Sequence, residues 1–211
     1  MRVLVACESS GIVRDAFLWL GHDAWSCDLL PDETDGPHLM GDVRDVLSLP
    51  AASDKWDLLI AHPPCTYLAS SGLHWNGRVP GRAEQTESAL DFVRLLMSAP
   101  VRHIAIENPV GRIGTAIRPA DQTIQPYQFG HDASKRTCLW LKNLPPLRPT
   151  GFVEPRMVDG KPRWGNQTDS GQNRLGPSPD RWRERSRTYQ GIADAMADQW
   201  TAAIDAARGK G

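Results

Sequence analysis

The sequence predicts an α/β fold: a doubly wound, mostly parallel sheet with helices on both faces. Three observations carry that expectation. Short, continuous apolar runs such as "RVLVAC" and "WDLLIA" read as strands buried on both faces rather than on one. Between them lie segments whose apolar residues recur at helical spacing. Polar, glycine-bearing turns fall where each run hands over to the next element, as they do in repeated βα units.

Taken in order, "RVLVAC" is the first strand and "SSGIVRDAFLWLG" the first helix. Ile12, Val13, Ala16, Phe17 and Leu20 make its apolar stripe, Ser10 is the expected N-cap, and Gly21 lies just past the end. "DAWSCDLL" is a second strand that closes on the acidic Asp28. After a polar, turn-rich stretch comes "GDVRDV", and then "WDLLIA" runs into His62-Pro63-Pro64-Cys65. Residues 82–97 form a helix with Ala89, Phe92, Val93 and Leu96 on one face. "VRHIAIENP" is a strand broken by Pro109, and "QTIQPYQFG" with "RTCLWLKNL" suggests an antiparallel pair at the sheet edge. From Pro145 to Pro179 the chain turns rich in Pro, Gly and Arg without a period. Residues 145–187 therefore read as an insertion serving function. A terminal helix follows, striped by Tyr189, Ile192, Ala193, Met196, Ala197, Trp200 and Ile204.

At 211 residues the chain suits one well-cored domain, 1–211, expected as a monomer. No apolar run approaches the roughly 20 residues of a membrane span, and the N-terminus does not read as a secretory signal, so a cytoplasmic protein is expected. Cys7, Cys27, Cys65 and Cys138 are far apart, with no C-x-x-C pair and no histidine at ligand spacing. That argues against a zinc site or a disulfide framework, and no metal is expected. Cys7, Cys27 and Cys138 lie in strand-like runs as small core residues; Cys65 does not. The net charge of −1 is uneven: residues 143–188 hold nine Lys/Arg against five Asp/Glu, which is +4, leaving −5 for the rest. Clustered arginine suggests a surface for a polyanion such as DNA.

Ligands of an open parallel sheet bind outside the carboxyl ends of its strands. The polar signals fall there. The first strand ends at Glu8-Ser9-Ser10-Gly11, a turn with backbone N–H groups for a nucleotide-like ligand. Asp28 ends the second strand 17 residues after Gly11, near the spacing at which an acid takes ribose hydroxyls. Asp42 follows a glycine in another turn. Together the three strand ends favour an adenosine-type ligand. Cys65 sits on a turn stiffened by two prolines, an eligible nucleophile if its thiol is activated. Glu107-Asn108-Pro109 ends another strand and faces the same crevice. A thiolate with a carboxylic acid suits addition to a heteroaromatic ring, the acid contacting a ring nitrogen that gains electron density.

These residues resemble, in order, the motifs of DNA cytosine-5 methyltransferases: "HPPC", "ENP", the acid after the second strand, "GDV" and a terminal amphipathic helix. More narrowly, the chain looks like the short phage and prophage cytosine methyltransferase-like proteins. Those share "RVLVACE-SG-VRDAF", "DLLIAHPPCTYLA-SG" and an ending like "SPDRW-ERSRT--GIA-AMA-QW". The resemblance covers nearly the whole chain and is weakest between about 150 and 176. It implies a Rossmann-like class I methyltransferase fold, S-adenosylmethionine or a modified sulfonium analogue as cofactor, and cytosine-containing DNA as partner. It implies Cys65 as the thiolate adding to cytosine C6, Glu107 at N3, and Arg136 at O2 and phosphate. Glu8, Ser9, Ser10, Gly11, Asp28, Leu29, Asp42, Val43 and Pro63 would line the cofactor. Pro64, Thr66, Ser70, Ser71, Trp75, Asn108, Pro109, Lys135, Arg181 and Arg185 would meet the substrate.

The chain also departs from that pattern. The family usually has Gly before Pro-Pro-Cys and Gln after it; here stand His62 and Thr66. The first turn reads Glu-Ser-Ser-Gly where the family has a phenylalanine and more glycine, and the Gln-x-Arg-x-Arg element is reduced to Lys135-Arg136. His62 reads as a core histidine closing its strand, or as a group biasing the cysteine toward thiolate. The large target-recognition domain is absent, leaving the 145–187 segment, with Trp164 as a stacking residue, to contact DNA. The base must leave the duplex for this chemistry. The loop "TYLASSGLHWNGRVPGR" resembles one that closes over a flipped base, with His74 a further contact. Rival readings are an idle DNA- or cofactor-binding regulator, or an enzyme acting on free nucleotides.

Overall fold

The computed structural model describes residues 1–48 and 55–209. Seven strands form one sheet: β1 (Arg2–Ala6), β2 (Asp23–Asp28), β3 (His38–Met40), β4 (Leu58–Ala61), β5 (His103–Pro109), β6 (Gln122–Ile124) and β7 (Thr137–Lys142). Their order is β3-β2-β1-β4-β5-β7-β6. The first five are mutually parallel, whereas β7 is antiparallel to both β5 and β6. The winding reverses between β1 and β4, which makes a switch point with a crevice at the carboxyl edge. β6 runs toward that edge and β7 away from it, so the 125–136 connection lies there too.

Alternation along the strands explains the two cores. Val3 and Val5 of β1, Leu58 and Ile60 of β4, and Ala105 of β5 point to one face. They pack there on α1 (Ile12–Trp19) and the last helix, α7 (Gln190–Arg208). Leu4, Ala6, Leu59, Ala61, Ile104 and Ile106 point to the other. That face is covered by α2 (Val43–Ser48), α4 (Arg82–Met97) and α5 (Ile113–Ala116), with α3 (Ser70–Leu73) in the connection between β4 and α4. The α7 stripe is buried as its spacing predicts. Trp200 is fully buried, and its indole N–H donates to the Pro145 carbonyl at 3.0 Å.

The structure corrects several expectations. Ser10 is not the cap of α1: Gly11 occupies that position with φ 69°, and the acceptor comes from Glu8. Glu8 Oε1 accepts the Val13 N–H at 2.8 Å and Oε2 the Arg14 N–H at 3.2 Å. "GDVRDV" yields α2, preceded by the short strand β3 that no apolar run announced. "QTIQPYQFG" is a three-residue strand cut short at Pro126, where a 3-10 turn spans Pro126–Gln128. The 145–187 segment holds a hairpin, β8 (Arg156–Val158) with β9 (Lys161–Arg163), and the short helix α6 (Arg181–Ser186).

Candidate functional site

Pro63 and Pro64 have no N–H to donate, so the ladder of β4 stops where the ligand edge begins. The His62 N–H still reaches the Ala6 carbonyl at 2.9 Å. Asn108, buried at the end of β5, donates its amide to the Pro63 carbonyl at 2.7 Å. Asn108 thus ties the turn to the end of β5. Cys65 opens the next turn, its carbonyl accepting Leu68 N at 3.0 Å and Ala69 N at 2.8 Å, while its side chain reaches solvent. Pro64 and Thr66 are exposed beside it.

The loop after the thiol is less free than its glycines imply. Ala69 bridges Gly111, Ser70 N donates to Val110 O at 3.0 Å, and Arg112 N donates to Leu68 O at 2.7 Å. A β-carbon at Gly111 would collide with the Leu68 carbonyl oxygen, so this close approach needs glycine. Residues 68–70 are pinned to the end of β5. Ser70 and Ser71 are exposed on α3, and Trp75 is half exposed beyond it beside His74, with Arg78 over its ring.

His62 and Glu107 face one another across the edge. Ala61 pairs with Ile106 in the β4–β5 register, so the next residues along, His62 and Glu107, come side by side on one face. His62 Nδ1 lies 3.0 Å from Glu107 Oε2, with both side chains nearly buried. Burial alone would raise the Glu107 carboxyl, but His62, Lys135 and Thr137 outweigh it and hold it below the usual range. Burial likewise disfavours the imidazolium. Glu107 and then Glu8 overcome that, keeping His62 protonated above its ordinary value. His62 Nε2 is buried with no hydrogen-bond partner among the described residues.

The atoms packed around the Cys65 thiol raise its pKa, and the Glu107 charge raises it further; Lys135 and Arg185 pull the other way. Glu107 pairs with Leu139 across the sheet, and stepping two residues at a time from Leu139 leads through Thr137 to Lys135. Lys135 therefore stands on the side of Glu107. Arg136 points elsewhere, exposed and without a side-chain hydrogen bond among the described residues, so the cation beside Glu107 is Lys135. Glu107, Lys135, Thr137, Thr188, Tyr189 and Ile192 enclose a cavity of ≈ 10 Å³, room for about one water.

The turns after β1 and β2 are built around a buried arginine. Arg14, fully buried, pairs with Asp15 at 2.8 Å and Asp32 at 2.9 Å, and donates to Ser26 and Thr34. It holds the 31–37 loop against the first turn, where Ser9 O accepts Glu33 N at 2.9 Å. At Cys7 the chain takes φ 59°, a left-handed conformation disfavoured for a side chain with a β-carbon, before Glu8. Asp28 Oδ1 accepts Leu30 N at 2.9 Å, and beside it Leu29 and Met40 are 73% and 70% exposed. Two large apolar side chains in water at adjacent strand ends flank an acid. Asp42 is engaged by Arg44 at 2.7 Å, which holds its carboxyl below the usual range. Val43 is buried in the core, so its side chain is not available to a ligand.

Much of the basic segment is tied down internally. Arg156 pairs with Asp169 at 2.6 Å, Arg174 donates to the Gln167 carbonyl at 2.8 Å, and Trp164 has one face stacked on Tyr127 at 4.3 Å. Arg183 and Arg187 reach across to Glu33, and Lys135 Nζ donates to the Arg187 carbonyl at 3.1 Å. That strap brings Arg185, exposed, close enough to Cys65 for its charge to act on the thiol, while Arg181 is half-buried on the same short helix. Pro109 is half-buried where β5 meets β7.

No protein-family model matches this chain, and no curated protein matches it. Among the described residues, no group of three or more His, Cys, Asp or Glu side chains is gathered as a metal site requires. No described helix is long and apolar enough to cross a membrane. The sequence did not signal the His62–Glu107 pair, the buried Arg14 or the reach of Glu33.

Proposed function

We propose that the chain is an S-adenosylmethionine-dependent DNA cytosine-5 methyltransferase-like enzyme, transferring a methyl or related alkyl group to C5 of a flipped cytosine. One observation carries the reading. An exposed thiol on a proline-stiffened turn and a carboxyl group on the adjacent strand end share the carboxyl edge of a parallel sheet, beside its switch point. The residue motifs quoted above add a family expectation to that geometry.

The donor side fits an adenosine-bearing cofactor. Leu29 and Met40 supply apolar walls for a purine, and Asp28 an acceptor for ribose hydroxyls, next to the turn at Glu8–Gly11. Such a cofactor supplies an electrophilic methyl group. The chain's own residues do the rest. Cys65 adds through Sγ to C6, which pushes electron density onto C5 and N3. Glu107 binds at N3 and steadies that charge, while Lys135 adds a positive charge beside it. After C5 is alkylated and loses its proton, the Sγ–C6 bond breaks and aromaticity returns. Arg185, whose charge reaches Cys65, would meet phosphate at the mouth, with Arg181 a further cation of the same helix.

The test is mass spectrometry of nucleosides from DNA incubated with the protein and S-adenosylmethionine. The expected product is C5-methyl deoxycytidine, and DNA containing 5-fluorocytosine should be trapped covalently by the wild type but not by Cys65→Ser. Trapping that persists undiminished in Cys65→Ser would sink the assignment.

A further inference from the structure

The pairing of His62 with Glu107 is unexplained by nucleophilic attack alone, and it poses a chemical difficulty. Cytosine N3 offers a lone pair, so a group that stabilises the adduct there must present a proton. A carboxylate is an acceptor only. In the free protein Glu107 is a carboxylate, because the imidazolium beside it holds the proton instead.

We propose that His62 is the positioning residue that stores the proton Glu107 needs, releasing it through the Nδ1–Oε2 contact as the base accumulates charge. This rests on the reading of Cys65 and Glu107 given above. The geometry supplies the path: the two atoms are 3.0 Å apart, on neighbouring strand ends held in register, and nearly out of reach of water. The step balances. As the Sγ–C6 bond forms and N3 gains electron density, the Nδ1–H bond breaks and an Oε2–H bond forms. Imidazolium becomes neutral imidazole with its remaining proton on Nε2, and the carboxylate becomes a carboxylic acid whose O–H is shared with N3. When C5 gives up its proton to water and Sγ departs as thiolate, N3 loses that density and the proton returns to Nδ1, which restores the His62–Glu107 pair.

The transfer also aids the nucleophile. The Glu107 charge is among the influences that keep Cys65 protonated, and neutralising it removes that opposition while Lys135 and Arg185 continue to favour thiolate. Electron demand at N3 and activation of the thiol are thereby coupled through one proton. The charged groups facing His62 are Glu107 from β5, Glu8 from the turn after β1 and Lys135 from the segment before β7. The first two hold the proton on the imidazole in the resting state, and Lys135 opposes them. The buried Nε2, lacking a partner among the described residues, makes the cation costlier than a fully bonded one and eases its discharge.

Two measurements decide the matter. First, NMR titration of the wild type should show His62 protonated to a pH above its ordinary value. Glu107→Gln should lower that value by about 1 pH unit or more. A His62 titration unmoved by Glu107→Gln overturns the proposal whatever the reaction is. Second, the pH dependence of single-turnover base modification should fall on the alkaline side as His62 loses its proton. In His62→Asn, which keeps an amide N–H near the Nδ1 position but cannot titrate, that limb should move acidward by about 1–2 pH units, toward the carboxyl range. Activity should recover there, and DNA affinity should stay within about twofold. A His62→Asn profile that superimposes on an active wild type overturns the proposal alone. A wild type that modifies no base at any pH overturns the functional reading, and the proposal with it. If His62→Asn fails to fold, the Glu107→Gln titration still decides the pairing on which the proposal stands.

Discussion

Arg14→Met keeps most of the side-chain volume and removes the guanidinium that Asp15 and Asp32 pair with. Arg14 is fully buried, the Asp32 side chain is 10% exposed, and the Asp15 side chain is 35% exposed. Removing one partner of a buried pair costs about 3–5 kcal/mol, because the charge left behind stays desolvated. Asp15 retains enough water to screen its share, which places the loss near the lower end, about 3 kcal/mol. For a chain of this size each kcal/mol is worth about 2–4 °C, so the melting temperature at pH 7 should fall by roughly 6–12 °C. Acid sensitivity gives an independent signature. Burial alone would raise the Asp32 carboxyl, but Arg14 and the Gly36 N–H more than offset it, leaving its folded pKa depressed. Its contribution is thus present above the unfolded carboxylate value, about 3.9, and is lost as pH falls through the folded value. Circular-dichroism melts between pH 3 and 7 should show a shallower acid decline in Arg14→Met than in the wild type. A variant melting within about 2 °C of wild type at pH 7 would refute the reasoning, since the loop and first turn would then hold without the arginine.

Three further outcomes follow from the site. Iodoacetamide should label Cys65 ahead of Cys27, which is buried with its thiol pushed up to about 11. Glu107→Gln should speed Cys65 labelling several-fold at pH 8, because removing a like charge lowers the thiol pKa; unchanged or slower labelling would count against the proximity of the two groups. Gly111→Ala should destabilise by about 1–3 kcal/mol in urea melts, since backbone and not a yielding side chain meets the new β-carbon. Limited proteolysis within 66–81 should accelerate with it, and a cleavage rate equal to wild type would show that the 68–70 anchor does not depend on this contact.

The fold was legible wherever one segment's own pattern decides its state. The apolar runs became β1, β4 and β5, and the α7 stripe packed as its spacing required, as did that of α1 except for Leu20, which lies past the helix end and is exposed. β3 was not legible: three residues, none fully buried, leave no periodic trace and are held by pairing with β2. In the site, Cys65 and Glu107 were visible as polar groups ending apolar strands. The contact between His62 and Glu107 was not, since it depends on the register of two strands separated by a helix. That Lys135, ahead of β7, lines the small cavity with Glu107 was not legible either, since the sequence offered the two adjacent cations without their placement. Ser10 at the head of α1 failed for a related reason. A carboxylate two residues earlier reaches the same N–H groups once the chain turns left-handed at Cys7.

The contact of Arg183 and Arg187 with Glu33 changes how polyanion binding should be counted. Each of these cations already has a resident counterion, covalently part of the protein and tethered beside the turn after β1. A phosphate reaching them displaces a carboxylate before it gains a charge, so they add less to the salt dependence of binding than free arginines, whose slope is about −0.9 per neutralised phosphate. The displaced Glu33 belongs to the loop that Arg14 secures and that Ser9 meets through its carbonyl. Ion exchange at Arg183 and Arg187 would therefore be felt at the first turn through a single acidic residue, Glu33.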